Sequence, residues 1–449
     1  MRPLILAALF AATIRAQDAS ATQTDQSPER WDVSWQATSI GQHHGSFPAL
    51  YSGPLSLANH PEAEASLTTT VFTALRLARY TVLYFDPEIA GGRGFSNVDG
   101  LANASNGELP RVASATPKPY IARLFIAQDF GFGEEVEQVE SDQDQLGGPR
   151  PMTRYSIYAG RFTLTDFFDD NRYSHDPRTQ FMGWGVMYNG AWDYPADTRG
   201  YTWGWVHEFH TRNWSVRYGS AAEPKVANGL RFDRRLFRDR GDMFEGERRY
   251  TPRGHPGAAR LLAFLLHTKS GSYGEALQLA AQNHTTPDIV DTRQVGRLKY
   301  GFGLSVDQEI TKDWGVFGRL GWNDGKTESF AFTAIDRLAT AGVSVTGTRW
   351  RRPHDTVATE LTVSGLSAVH ADYLANGGLD FLIGDGALRY GPETIWESYY
   401  SAQVVPWFTT SIDAQYVVNP AYNRDRGPVW IGSVRLHVEV GKKTFSKQP

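Results

Sequence analysis

Apolar and polar residues alternate along most of this chain. From Val429 to Val440, the residues Trp430, Val434, Leu436, Val438 and Val440 share one face, while Ser433, Arg435, His437 and Glu439 share the other. A period of two over so long a stretch predicts a β-strand, whose successive side chains point to opposite sides. Residues 407–418 set Phe408, Ile412, Ala414, Tyr416 and Val418 against Ser411, Asp413 and Gln415. Residues 394–405 set Tyr400, Ala402 and Val404 against Glu397, Ser401 and Gln403. Upstream, Leu298, Tyr300, Phe302, Leu304 and Val306 oppose Lys299, Ser305 and Asp307, and Val357, Leu361 and Val363 oppose Glu360, Thr362 and Ser364. Ser215, Arg217 and Gly219 oppose Trp214, Val216 and Tyr218; Tyr120, Ala122, Leu124 and Ile126 oppose Arg123 and Gln128 less cleanly.

Turn signals separate these runs. Thr311-Lys312-Asp313 is expected to join 297–310 to the next strand, and Asn323-Asp324-Gly325-Lys326 to join 313–322 to a strand over 327–338. The pattern predicts about seventeen strands of roughly ten residues, the length of a tilted membrane-spanning strand. They start near 31, 65, 79, 119, 153, 180, 200, 213, 257, 296, 313, 327, 341, 356, 394, 407 and 429. Single-chain bacterial barrels take even numbers, so the short run 79–85 is the one expected to drop out. Gly271 to Ala281 is the best helix candidate, as an insert in a loop.

Composition narrows the choice between β architectures. Mean hydropathy is −0.41, and no run of 18 apolar residues exists, which excludes a membrane-spanning helix. The 449 residues hold no cysteine, which removes disulfides, cysteine metal sites and thiol nucleophiles together. The 45 basic and 49 acidic residues are interspersed, with none of the basic clustering that nucleic acid requires. A glycine- and aromatic-rich β protein remains, either a soluble sandwich or a membrane barrel whose signal lies in alternation. Tyr and Trp gather at segment ends (Trp314 and Trp322, Trp407 and Tyr416, Trp396 and Tyr400), where the interfacial girdles of a membrane barrel sit. At the N-terminus, Met1-Arg2-Pro3, the apolar stretch Leu4 to Thr13 and Ile14-Arg15-Ala16 predict a secretory signal peptide over 1–16, with Arg15 atypical for a cleavage region. A polar segment (17–30), a barrel domain (31–440) and a short tail (441–449) would follow.

Three long stretches resemble the carbohydrate-selective porins of bacterial outer membranes, the OprB type. They are SIGQHHGSFPALYSGPLSL with YFDPEIAGGRGFSNVDGLANASNGELPRV (39–57 and 84–112), GRFTLTDFFDDNRYSHDPRTQFMGWGVMYNGAWDYPADTRGYTWG (160–204), and QYVVNPAYNRDRGPVWIGSVRLHVE (415–439). ANGLRFD (227–233) and GDMFEGERRY (241–250) are similar to that family's connecting segments. The resemblance implies an all-β transmembrane antiparallel barrel of about 16 strands, with long loops folded into the pore. It implies passive diffusion of glucose and other small neutral sugars into the periplasm, without catalytic residues, cofactor or metal. The implied surroundings are outer-membrane lipid and the outer-membrane assembly machinery, with the barrel a monomer or a homotrimer. One departure stands out. The chain runs past Val440 as GKKTFSKQP, where such barrels usually end on an aromatic residue; Phe445 is the nearest substitute.

A sugar is neutral, dense in hydroxyls and apolar on its C–H faces, so its channel needs paired donors and acceptors beside aromatic rings. Opposed charges across a constriction also discourage simple ions of one sign. The polar strand faces offer Arg123, Glu208, Arg217, Glu360, Glu397, Asp413, Arg435 and Glu439 as lumen-lining candidates. Two loops are better candidates for the constriction. Asp86 to Arg111 carries Glu88, Arg93, Asn106 and Glu108 among glycines that allow close backbone approach, and Thr165 to Gln180 carries Asp166, Asp169, Arg172 and Arg178. For each charge the plain alternative is a solvated rim residue or a loop-to-wall salt bridge. Asp166, Asp169 and Asp170 lack the regular spacing of a calcium loop. His207-Glu208-Phe209-His210 is one residue short of HExxH, and its histidines would point to opposite faces of a strand. Glu134 to Asp144 reads as an acidic, solvated loop. Two other classes stay open: a β enzyme acting on glycans, which needs a carboxylate pair in a cleft, and a structural barrel with a plugged lumen.

Overall fold

The computed structural model describes residues 28–109, 116–235 and 238–441. The expected signal peptide, most of the polar segment, Arg111 and the tail with Phe445 lie outside the described residues. Sixteen strands alternate along the chain: β1 Trp31–His44, β2 Glu62–Ala78, β3 Thr81–Gly92, β4 Lys118–Val139, β5 Gly148–Phe162, β6 Thr202–His210, β7 Trp214–Ala222 and β8 Arg240–Tyr250, then β9 Gly257–Ser270, β10 Gln294–Thr311, β11 Trp314–Asn323, β12 Arg337–Gly347, β13 Arg352–Gly365, β14 Glu393–Val405, β15 Phe408–Val418 and β16 Val429–Val440. Each pairs with its chain neighbour, and β1 closes on β16 with Trp35 opposite Val440 and His44 opposite Ile431. Closure leaves no unpaired edge, which is what a hydrocarbon environment demands of a sheet.

The wall is inside-out relative to a soluble protein. On β16, Trp430, Val434 and Leu436 are exposed at 55, 50 and 47%, while Ser433, Arg435 and His437 are buried. On β10 and β11, Phe302, Val316 and Leu320 are exposed while Lys299, Ser305 and Arg319 are buried. An apolar exterior of this extent is stable only against lipid, and it decides for the membrane barrel over the sandwich. Aromatic rings mark both edges of the belt. Trp396, Tyr416 and Trp430 cluster near the end carrying the long loops, with Tyr416 and Trp430 centroids 4.6 Å apart. At the opposite end, Arg248 lies over Trp214 and Arg349 over Trp314, at 4.6 and 5.8 Å. Val434→Arg, in mid-belt, is expected to cost about 2–4 kcal/mol, read as a lowered urea midpoint in vesicles.

Loop length sorts by end. The connections 45–61, 93–117, 163–201, 223–239, 271–293, 324–336, 366–392 and 419–428 share one rim. The turns 79–80, 211–213, 251–256, 312–313, 348–351 and 406–407, with the longer 140–147, share the other. In an outer-membrane barrel the short turns face the periplasm and the long loops the outside.

Four expectations are corrected. The strand expected near 180 is instead the short helix α1, Trp184–Met187, inside a loop. The run 327–338 alternates because Phe330, Phe332 and Ala334 are buried in the barrel interior, but it is a loop as far as 336 and the strand begins at Arg337. The run expected to drop out is real, as β3. Strand β8 escaped notice because its outward positions are Arg240, Asp242, Phe244, Gly246 and Arg248, which give no apolar alternation. The Gly271–Ala281 helix is present as α2, Tyr273–Asn283, capped by the Ser272 hydroxyl.

The candidate pore constriction

The connection 163–201 is too long for a rim loop, and it drops into the barrel. It carries Phe168, Phe181 and Trp192 into full burial, and the inward charges of β8 to β16 hold it there. Arg319 on β11 donates to the Asp169 carboxylate at 2.9 Å, the Ser174 hydroxyl at 2.8 Å, and the carbonyls of Val186, Asp169 and Ser174 at 2.7, 3.0 and 2.7 Å. Glu397 on β14 accepts the backbone N–H groups of Met182 and Gly183 at 2.5 and 3.1 Å. Arg435 on β16 donates to the carbonyls of Pro177 and Gln180 at 2.7 and 2.6 Å. Glu245 on β8 accepts the Asp169 N–H at 2.7 Å. Most of these bonds go to backbone groups of the loop, which burial removes from water, and the remaining two go to the Asp169 carboxylate and the Ser174 hydroxyl.

The space left open is therefore pressed against β1 to β7. It is a cavity of about 700 Å³ that reaches from Tyr80, in a short turn, to Asn228 and Phe332, in long loops. Among the described residues, two ion-pair groups link the inward loop to the wall across it. Arg178, from the inward loop, donates to Glu108 at 2.7 Å and to Glu88 at 3.0 Å. Glu88 also accepts the Thr70 hydroxyl at 2.6 Å and the Tyr120 hydroxyl. Arg123 on β4 makes a forked pair with Asp166 at 2.7 and 2.6 Å. A guanidinium fork of this kind fixes both distance and plane. Aromatic rings complete the lining: Tyr84 stacks on Phe125 at 4.6 Å, and Trp184 on Phe332 at 5.5 Å.

Seven of the candidates from the sequence line this cavity: Glu88, Glu108, Arg123, Asp166, Arg178, Glu208 and Arg217. Glu88 does so from strand β3 rather than from a loop. Arg217 gathers Glu208, Glu245 and Glu247 at 2.5, 2.8 and 2.8 Å. Asn106 stands behind the constriction, where its side-chain carbonyl accepts the Glu108 N–H at 3.0 Å and its amide donates to Ser66. Asp169, within the inward loop, is buried against Arg319 and Glu245; Glu397 and Arg435 are sealed under that loop, and buried Glu360 and Asp413 on β13 and β15 line no part of the cavity. Arg172 sits 3.5 Å from Glu309 and half-exposed, Glu439 is half-buried near His437 at 3.8 Å, and Arg93 is exposed outside the cavity. The sequence reading missed Tyr120, Tyr201, Asp129 and Arg150 in the lining.

The irregular alternation of β4 was the available signal. An extra residue on β4, Ala122, sits where Arg123 pairs with Asp86 and Ile121 with Pro87, and it places both Tyr120 and Arg123 toward the pore. His207 stacks between Tyr155 and Tyr218 on the outer face, whereas His210 lies 3.9 Å from Glu208. Among the described residues no group of metal-ligating side chains is assembled.

Burial pushes the Glu108 carboxyl up to about 7, against the pull of the Arg178 guanidinium. Its charge therefore changes near neutrality. Above pH 7 the carboxylate adds a negative charge to the passage, so cation preference is expected to rise between pH 6 and 8. Glu108→Gln should flatten that rise in reversal potentials measured across a salt gradient.

A family model, "Carbohydrate-selective porin, OprB family", matches residues 81–439. The fold is similar to the high-pH structure of Pseudomonas putida OprB, with a TM-score of 0.70 and 14% identity over 92% of this chain and 94% of that one. Pseudomonas aeruginosa OccK2 (OpdF) is similar at a TM-score of 0.47 and 9% identity, over 92% and 98% of the two chains. Sequence comparison with curated proteins returns no match. At such identities the structural likeness speaks for the fold alone, but the family match spans most of the chain. The chain belongs to the OprB family of carbohydrate-selective porins, channels of the bacterial outer membrane.

Proposed function

We propose that sugar selection takes place where Arg178 and Arg123 face Glu88, Glu108 and Asp166, and that glucose-sized neutral sugars are the solutes passed. The observation that carries this reading is the pairing itself. Guanidinium and carboxylate groups stand opposite one another within one cavity, beside stacked Tyr84, Phe125 and Trp184. A hydroxyl-rich solute can exchange hydration water for these donors and acceptors and slide its C–H faces along the rings. A charged solute meets a like charge at each step and pays in repulsion. Glu88 and Glu108 are both engaged by Arg178, an arrangement suited to a static filter rather than to a carboxylate pair flanking a glycosidic bond.

Liposome swelling tests the reading. Vesicles carrying the protein should swell quickly in glucose and several-fold more slowly in gluconate, which is of similar size and charged. Equal rates would remove the filter from these residues, and glycoside hydrolysis by a non-conducting barrel would replace the reading altogether.

A further inference from the structure

The hairpin of β4 and β5 continues past the short-turn rim and then bends back into the barrel. The bend has a local cause. Phe132 pairs with Thr153 but Val136 pairs with Pro151, so β4 carries extra residues at Gly133, whose φ is +79°. Extra residues in one strand of a pair kink that strand. The tip, 140–147, closes through a bridge between Asp142 and Gln145. It is fastened inside the mouth at several points. Leu146 is buried in the apolar cluster that includes Val82, Tyr84 and Phe125. Gln143 donates to Gln36 at 3.2 Å, and Gly147 exchanges bonds with Glu29 at 3.0 and 2.7 Å. The acidic run from Glu134 is solvated as expected over its first residues but is not a loop there: Glu134–Val139 continues β4, and the tip lines the pore.

At the apex, Asp144 adopts φ +51°, a left-handed conformation that aspartate and asparagine tolerate better than most residues. One carboxylate oxygen lies 3.4 Å from the Arg123 guanidinium, and the carboxyl also shares a hydrogen bond with the carboxyl of Asp86. Arg123 therefore meets carboxylates from three separate elements: Asp86 of the wall at 3.6 Å, Asp166 of the outer loop at 2.6 Å, and Asp144 of the periplasmic tip.

We propose that the 140–147 tip is the periplasmic half of the constriction, with Asp144 its specificity-determining residue, adding negative charge on the exit side and excluding anionic solutes. This rests on the reading of the Arg123 region as the filter, and it adds a second element that enters from the opposite mouth. Nothing covalent is involved; the tip acts through its charge and the width it removes.

Asp144→Asn is the first test, since asparagine keeps both the shape and the tolerance for positive φ. In purified protein reconstituted in planar bilayers, cation-over-anion permeability from reversal potentials should fall about twofold or more. Asp144→Lys should carry it further, towards anion preference. A second variant replaces 140–147 by a tight Asn-Gly turn and should raise single-channel conductance at least about twofold. An unchanged reversal potential in Asp144→Asn overturns the role of Asp144. Unchanged conductance in the shortened hairpin overturns the placement of the tip in the pathway. Wild-type channels that glucose fails to block, but whose reversal potential still shifts in Asp144→Asn, would sink the sugar reading and leave this inference standing.

Discussion

Arg178→Gln is expected to weaken glucose block of the channel about tenfold and to raise its cation preference. Among the described residues, Arg178 supplies the guanidinium that bonds both Glu88 and Glu108, at 3.0 and 2.7 Å. A hydrogen bond to a charged group contributes about 1.5–3 kcal/mol when its partner would otherwise stay unpaired. Losing one such donor to a sugar hydroxyl at the lower figure is about a factor of ten in affinity. The ion effect has a definite sign, because the variant removes one positive charge from beside two carboxyl groups. Glu108, already pushed up to about 7 by burial, then loses the guanidinium that opposed this shift and holds its proton to still higher pH. The rise in cation preference should therefore be largest at alkaline pH. Barrel closure is untouched, since β1 to β16 pair independently of this residue. The control is Arg93→Ala: exposed outside the cavity, Arg93 should leave glucose block unchanged.

Arg319→Ala is expected to release the inward loop. This guanidinium is fully buried and makes five hydrogen bonds, two to Asp169, two to Ser174 and one to Val186. Removing one partner of a buried ion pair costs about 3–5 kcal/mol, because the remaining charge is left in a low dielectric. The cost falls on the loop rather than on the wall. Segment 163–201 should become locally unstable, giving larger, noisier single-channel currents and faster proteolysis of the loop in an otherwise intact barrel. Arg319→Lys should rescue little, since an ammonium cannot reach the two sides of the turn that the planar fork bridges. Quiet wild-type currents in Arg319→Ala would mean that Glu245, Glu397, Arg435 and the aromatic contacts hold the loop without Arg319.

The wall was legible in the sequence because lipid on one side and water on the other impose a period of two. It failed where that contrast fades. On β8, Asp242 faces outward yet is satisfied by Tyr218 at 3.0 Å and Arg240 at 3.0 Å, so polarity on the outer face is tolerated there and the alternation vanishes. The stretch around Phe330 and Phe332 failed the opposite way, since a loop filling the barrel core needs apolar residues just as a strand does. The inward loops were legible as loops, but the role of each charge was not. Glu397, Arg435 and Arg217 all lie on polar strand faces, and only the position of the loop decides that the first two bind backbone while the third meets the pore. Asp144 was hidden because a hairpin that bends back carries the composition of one that does not.

The central claim is a sugar-selective passive pore, and single-channel recording with glucose titrated from either side tests it most directly. Conductance in purified protein should be steady and should fall in a saturable way as glucose is added, with the block weakened in Arg178→Gln and unchanged in Arg93→Ala. Conductance indifferent to glucose in the wild type, or block that survives Arg178→Gln at full strength, would contradict it.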